Sequence, residues 1–393
     1  MSTTAIPENV KRPMPPSVVH LGWFLLAGGL IVFLGAYVTD ARRAAFDNVI
    51  LLLFLASLAA GSLFLVALEH LAGAVWSTPM RRLIEFLAGL TPLLPLVGLP
   101  LLFHLHDLFH WTHAEVVAGD QILQGKTAYL NVPFFVLRFF AVCLTWLLFF
   151  WLFTRNSLKQ DRTGDQKLTT RNARLAAAFL PVFAITLTVT AVDWGMSLEP
   201  HWFSTIFGVY YFAGTALAAV ALATLVVVYL LDAGYLPPLR GDNLYSLGAL
   251  MFAFVNFWAY IAFSQFLLLW YANLPEETFW FMHRWEHGWQ VVSISLIVVH
   301  FAVPYFALLP QEAKMDRKRL KIMAIWILAA RLVDLYWLIM PSFGDSVTLG
   351  WQELGIPLVA TGLVIVVLAW KMQRHNLVPV GDPKLSRGLD FRL

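Results

Sequence analysis

Eight ionisable side chains fall inside, or at the ends of, long hydrophobic runs: Glu69, His70, Glu85, Arg138, Asp193, His300, Arg331 and Asp334. A charge inside a spanning helix is expensive, so such groups pair, face a protein-lined cavity or carry function. Two kinds of chemistry fit this set. Carboxylates and histidines that take up and release protons in turn make a relay; the same groups held against arginine make structural salt bridges that pin helices. Spacing separates some of them. Arg331 and Asp334 are three residues apart, share a helix face and can pair. A guanidinium beside a carboxylate stabilises its charge and makes it a poor proton carrier, which favours the structural reading for this pair. Arg138 and Asp193 approach the same boundary on different runs and can pair likewise. Glu69 with His70 is the better relay candidate, although it lies close to a boundary. Asn256 and Gln265 add neutral polar positions.

Asp193 opens the most distinctive stretch of the chain. It precedes Trp194 near the end of one apolar run, and the turn Leu198-Glu-Pro-His-Trp-Phe203 leads into the next. Tryptophan and tyrosine favour the membrane–water boundary because their rings are amphipathic, so this turn reads as a polar helix end at that depth. Asp193 is then either a functional carboxylate or a hydrated helix end, and both readings stay open. The loop His104-Leu-His-Asp-Leu-Phe-His110-Trp-Thr-His113 offers ligand types for a cation, but its spacing matches no zinc pattern and no metal is expected. His283-Arg-Trp-Glu-His287 lacks the order of a zincin helix. The single cysteine, Cys143, excludes an internal disulfide, covalent haem attachment and a four-thiolate iron–sulfur cluster in this chain.

The elements that position these residues are helices. Hydrophobic residues make up 59% of the 393 and charged residues only 13%, with a mean hydropathy of +0.70; a soluble domain of this length does not show that balance. The pattern predicts an all-α polytopic membrane protein, a single membrane domain over residues 1–393. Ten runs of spanning length lie at about 19–38, 48–70, 83–103, 133–153, 173–195, 204–231, 244–272, 288–309, 319–340 and 350–370. Of the 27 Lys and Arg residues, 21 fall in the two tails and the loops after the even-numbered runs through the eighth, and 4 in the other loops. The positive-inside rule then places both termini in the cytoplasm. Residues 1–18 read as a retained cytoplasmic tail, without a signal-peptide cleavage site, and 371–393 as a second. The basic segments Arg155–Arg174 and Lys314–Lys321 read as orientation signals and not as nucleic-acid sites.

Three stretches carry a family resemblance: Asp193-Trp-Gly-Met-Ser-Leu-Glu-Pro-His-Trp-Phe-Ser-Thr-Ile-Phe-Gly208, Lys126-Thr-Ala-Tyr-Leu-Asn-Val-Pro-Phe-Phe-Val-Leu-Arg138 and Phe263-Ser-Gln-Phe-Leu-Leu-Leu-Trp-Tyr-Ala-Asn-Leu-Pro-Glu-Glu277. With the ten-helix layout, the chain resembles the second quinone-related membrane subunit of bacterial alternative complex III, a quinol:electron-acceptor oxidoreductase, within the wider NrfD/PsrC-type group. The resemblance implies two four-helix bundles, 48–195 and 204–340, flanked by the first and tenth helices. It implies as partners a second NrfD/PsrC-like subunit, multihaem and monohaem cytochromes and an iron–sulfur protein, with haem c and clusters held by those partners and lipid around the helices. It also implies that the quinol site belongs to the other membrane subunit.

The expected role is therefore a scaffold and proton conduit in a quinol-oxidising respiratory complex. A first alternative is that this chain forms a quinone site itself. Such a site needs an apolar cleft with one or two polar groups, for which Asp193, His201 and Trp202 are the candidates. A second alternative is a secondary transporter. Against it, Pro92, Pro95 and Pro100 interrupt only the third run, whereas a transporter of that kind has broken spans at matching positions in two halves.

Overall fold

The structure is a computed structural model that describes residues 11–393; the first ten residues of the expected N-terminal tail lie outside the described residues. Among the described residues ten helices are long and apolar enough to cross a membrane: α1 Pro16–Thr39, α2 Ala41–Ala72, α3 Thr78–Phe103, α4 Val132–Thr163, α5 Lys167–Leu198, α6 Phe207–Asp232, α7 Gly241–Ala272, α8 Trp289–Leu308, α9 Arg317–Ser342 and α10 Gln352–Arg374. Among the described residues there is no strand. The chain is an all-α, multi-pass membrane protein. Large apolar side chains such as Phe24, Ile31, Leu137, Ile185 and Phe306 point outward, as lipid surroundings allow.

Several helices extend past their hydrophobic runs, and caps explain where they begin. Asp40 starts α2 by accepting the Arg43 N–H at 3.0 Å, which brings Asp47 into the helix and the core. Asn131 caps α4 through the Phe134 N–H at 3.0 Å, and Asp316 caps α9 through the Lys318 N–H at 3.1 Å. Helix α2 ends at Gly73, whose φ of 63° is the left-handed conformation that glycine tolerates. Helix α3 begins at Thr78, five residues before the apolar run, because Arg81, Arg82 and Glu85 find partners inside the protein.

Packing closes two rings of four. Helices α2, α3, α4 and α5 contact one another in sequence, with α5 returning to α2; α6, α7, α8 and α9 do the same, with α9 returning to α6. The rings meet mainly where α2 packs on α6, and these are the most enclosed helices. Small residues let them approach: a Cβ built on Gly61 would stand 2.8 Å from the Thr215 carbonyl oxygen. Outside the rings, α1 and α10 lie along each other. Their glycines are spaced seven apart, Gly22 and Gly29 on one and Gly355 and Gly362 on the other, and a Cβ on Gly362 would meet the Leu26 backbone nitrogen at 2.6 Å.

Both described chain ends come to one face, here the terminal face. Arg12 donates to the Gly234 carbonyl at 2.6 Å and Tyr235 to that of Pro13 at 3.2 Å. The C-terminal segment returns beneath the first ring, where Asp382 meets Arg81 at 2.7 Å. The opposite, distal face carries the 104–131 loop, the 195–206 turn and the Pro275–His283 helix.

Helix irregularity is wider than prolines alone suggest. A 3₁₀ segment, Ala88–Leu93, interrupts α3 at Pro92. Helix α8 also departs from α geometry, in a π-helical turn at Ile297–Ala302 just ahead of Pro304. The two broken helices occupy the second place of the first ring and the third place of the second, so they do not correspond.

Candidate functional site

The buried ionisable residues gather at three levels of the helix core. At the terminal-face level, Arg81 is the hub. Its guanidinium reaches Glu69 at 3.1 Å, Glu85 at 3.3 Å and Asp382 at 2.7 Å, all buried. Arg82 meets Glu85 at 2.9 Å and Asp161 at 2.7 Å, and Ser157 donates to Glu85 at 2.8 Å. Four carboxylates thus surround two arginines, and Lys371 lies close enough to feel the Glu85 charge. One carboxylate oxygen, Glu69 Oε2, is buried without a hydrogen-bond partner. His70 belongs to a separate chain: its Nε2 faces the Asn172 amide at 3.3 Å, and Asn156 donates to Asn172 at 2.8 Å.

At mid-level, Arg331 and Asp334 form the i, i+3 pair that spacing anticipates, at 2.5 Å with both side chains fully buried. Tyr210 of α6 donates to the second carboxylate oxygen, and Arg331 donates to Ser57 of α2 at 3.2 Å. Ser57 continues to Thr215 at 3.2 Å, and Tyr211 donates to the Leu53 carbonyl at 2.7 Å. The guanidinium fits because α6 carries glycine beside it: a Cβ on Gly214 would lie 2.1 Å from Arg331 Nη1. His300 sits in the π-helical turn of α8, its ring 4.0 Å from that of Trp258, and neither of its ring nitrogens has a partner. Asp334 and Arg331 are its nearest charges.

At the distal face, Arg138 of α4 holds Asp193 of α5 through Nε at 2.7 Å and Nη2 at 3.2 Å. Tyr129 donates to Asp193 at 2.9 Å and its ring lies 3.8 Å beneath the guanidinium. Burial, then the Asp193 charge, holds the Tyr129 hydroxyl well above its ordinary value, so it is a fixed donor. Arg284, buried and stacked 3.5 Å over Trp280, pairs with Glu199 at 3.1 Å. Burial lowers its pKa, and the Glu199 charge and hydrogen bond offset part of that effect. On the surface, His201 meets Asp120 at 2.5 Å, and this bond, with two backbone N–H donors, holds Asp120 below the usual carboxylate range.

The three residues considered together for a quinone head each engage different partners. Asp193 is bound by Arg138 and Tyr129. Trp202 stacks on Trp280 at 4.4 Å and donates to the Glu277 carbonyl. His201 alone lines a distal-face cavity of about 300 Å³ with His110, Glu199, His283 and Asp345. In the histidine-rich loop, His104 bonds Asp107 at 2.7 Å and His113 bonds the His106 carbonyl at 2.9 Å.

Sequence reasoning missed Arg81, Arg82, Asp161, Asp382, Tyr210, Arg284 and Asp47. Arg81 and Arg82 had a signal, since they stand four and three residues before Glu85 on one helix face, but they count as loop charges when loops are tallied. Asp382 and Tyr210 pair across 301 and 124 residues of chain, and no local pattern announces that. No family model matches the chain, and no curated protein matches it either.

Proposed function

We propose that this chain is an integral membrane subunit of a quinol-oxidising respiratory complex of the alternative complex III type, lying in a bacterial cytoplasmic membrane with both termini in the cytoplasm. It acts as a scaffold for a second membrane subunit, haem c proteins and an iron–sulfur protein, and passes protons through its core. The observation that carries the proposal is the presence of buried ionisable clusters at three depths of the helix core, the Glu69–Arg81–Glu85 and Tyr129–Asp193–Arg138 groups in the first ring and the Tyr210–Asp334–Arg331 group in the second. Buried charge on this scale is costly for a mere anchor. The distal and terminal clusters are largely closed by pairing; Glu69 Oε2, the His300 ring nitrogens and, outside the clusters, both Asp47 oxygens lack hydrogen-bond partners and are the groups left open to exchange protons. The sequence resemblance supplies the quinol.

The test is quinol-driven reduction of the electron acceptor in membranes from cells lacking this chain. The activity should disappear and return with the wild-type chain. Undiminished activity in its absence would remove the chain from the complex. A secondary transporter is the contrasting reading; the irregular α3 and α8 do not hold matching places in the two rings, and solute uptake lost in parallel with normal quinol oxidation would favour it.

A further inference from the structure

A cleft of about 670 Å³ opens between α1, α2, α3 and α10, and its two ends differ in chemistry. Along most of its length it is apolar, lined by residues such as Leu30, Phe33, Leu96 and Val359; toward the distal face it ends at Tyr37, Asn48 and His104. Asn48 is only 4% exposed. Its amide nitrogen donates to the Val97 carbonyl at 3.1 Å, and its Oδ1 has no partner. The Tyr37 hydroxyl is also buried without a partner, with its ring 5.2 Å from that of His104. Behind them lies Asp47, fully buried, with both carboxylate oxygens unpartnered and near enough to Tyr37 to act on it electrostatically. Buried polar atoms are nearly always satisfied, and those left open within a cleft mark where a ligand supplies the missing group.

Of the open atoms on the cleft wall, Asn48 Oδ1 accepts and the Tyr37 hydroxyl can do either, and no lysine or arginine lines the cleft. A phosphate head would find no cation there, whereas a head that donates hydrogen bonds would satisfy what is open. We propose that the cleft binds an uncharged, membrane-dissolved molecule with a hydroxylated head, lodged against Asn48 and Tyr37, and a long apolar tail. An aromatic quinol and an isoprenoid alcohol share this chemistry. The quinol source rests on the function proposed above; the hydroxyl-headed class does not.

The experiment uses the full chain in phosphatidylcholine nanodiscs with labelled decylubiquinol kept reduced, decylubiquinone, farnesol and phosphatidylglycerol as probes. Tyr37→Phe removes one oxygen that bonds nothing in the fold. Leu96→Trp fills the cleft from an exposed position, so the fold should survive in both, as thermal unfolding would verify. A hydroxyl-headed probe should saturate one site, weaken about tenfold in Tyr37→Phe, the scale of one lost hydrogen bond, and be lost in Leu96→Trp. Binding of decylubiquinol and farnesol alike supports the proposal, and farnesol alone supports the hydroxyl-headed class while removing quinol as its source. The proposal is overturned by no saturable binding of either, by binding unchanged in Leu96→Trp, by decylubiquinone binding as tightly as decylubiquinol, or by equal competition from phosphatidylglycerol. The respiratory role is read separately, from quinol oxidation in membranes.

Discussion

Asp334 accepts from Arg331 through one oxygen and from Tyr210 through the other, so both of its oxygens are committed. Removing one partner of such a buried pair strands a charge, at a cost of about 3–5 kcal/mol. Asp334→Asn should therefore lower the thermal midpoint in detergent or prevent accumulation, and Arg331→Gln combined with Asp334→Asn should recover most of the loss; a double mutant no better than the single would reject the pairing account. Glu69 differs because Oε2 is unpartnered. Glu69→Gln keeps the shape and a hydrogen-bonding end, so the fold should persist while proton movement per electron falls in proteoliposomes of the whole complex. An unchanged ratio would exclude Glu69 as an essential carrier. The two pairs Arg331–Asp334 and Arg138–Asp193 were legible in the sequence from helical spacing and shared depth. The third partners, Tyr210 and Tyr129, were not, because an uncharged phenol, whether in an apolar run like Tyr210 or in a loop like Tyr129, gives no electrostatic signal.

Helix contacts depend on small residues at the crossings, and the same reasoning predicts which substitutions the elements refuse. Gly214→Ala would place its Cβ against Arg331 Nη1, moving a guanidinium that α2, α6 and α9 share. Its effect should approach that of losing the ion pair, a few kcal/mol, although only one methyl is added. Retention of the wild-type thermal midpoint would show that the arginine has room. At the end of α10, burial and the nearby Lys371 and Arg82 press His375 down to about 4. The folded state then holds it neutral while the unfolded chain protonates it near 6.5. Stability from this residue is complete above 6.5 and falls as pH drops toward about 4, below which both states are protonated and the loss is constant. Because His375 is partly exposed, solvent screening reduces the effect to about 1 kcal/mol. A His375→Gln protein should show a flatter midpoint between pH 7 and 4.5, and an identical pH slope would contradict the burial account. Ten helices could be read from hydrophobic runs because each run must satisfy its backbone internally in lipid. Their starts could not, since α3 begins on arginines that only the folded partners make tolerable. The π-helical turn of α8, which sets His300 against Trp258, is likewise not encoded in hydropathy.

For the whole molecule, the distribution of Lys and Arg predicts the sidedness, and it survives the burial of Arg81 and Arg82 because the remaining basic residues still lie mostly on the terminal face. A cysteine introduced at the exposed Gln166, in the turn between α4 and α5, should react with an impermeant maleimide only after cells are opened, and labelling in intact cells would invert the molecule. Which proteins cover the two faces is not written in a single chain's hydropathy; it enters through the motif resemblance alone. The central claim is that this chain works inside a quinol-oxidising assembly, and the most direct measurement is purification through an affinity tag on this chain under mild detergent, followed by optical and paramagnetic resonance spectra of the product. The account predicts c-type haem bands, iron–sulfur signals and quinol oxidation co-eluting in fixed proportion to the chain. A homogeneous product without haem, clusters or quinol oxidation, from membranes in which this chain is intact and abundant, would contradict it.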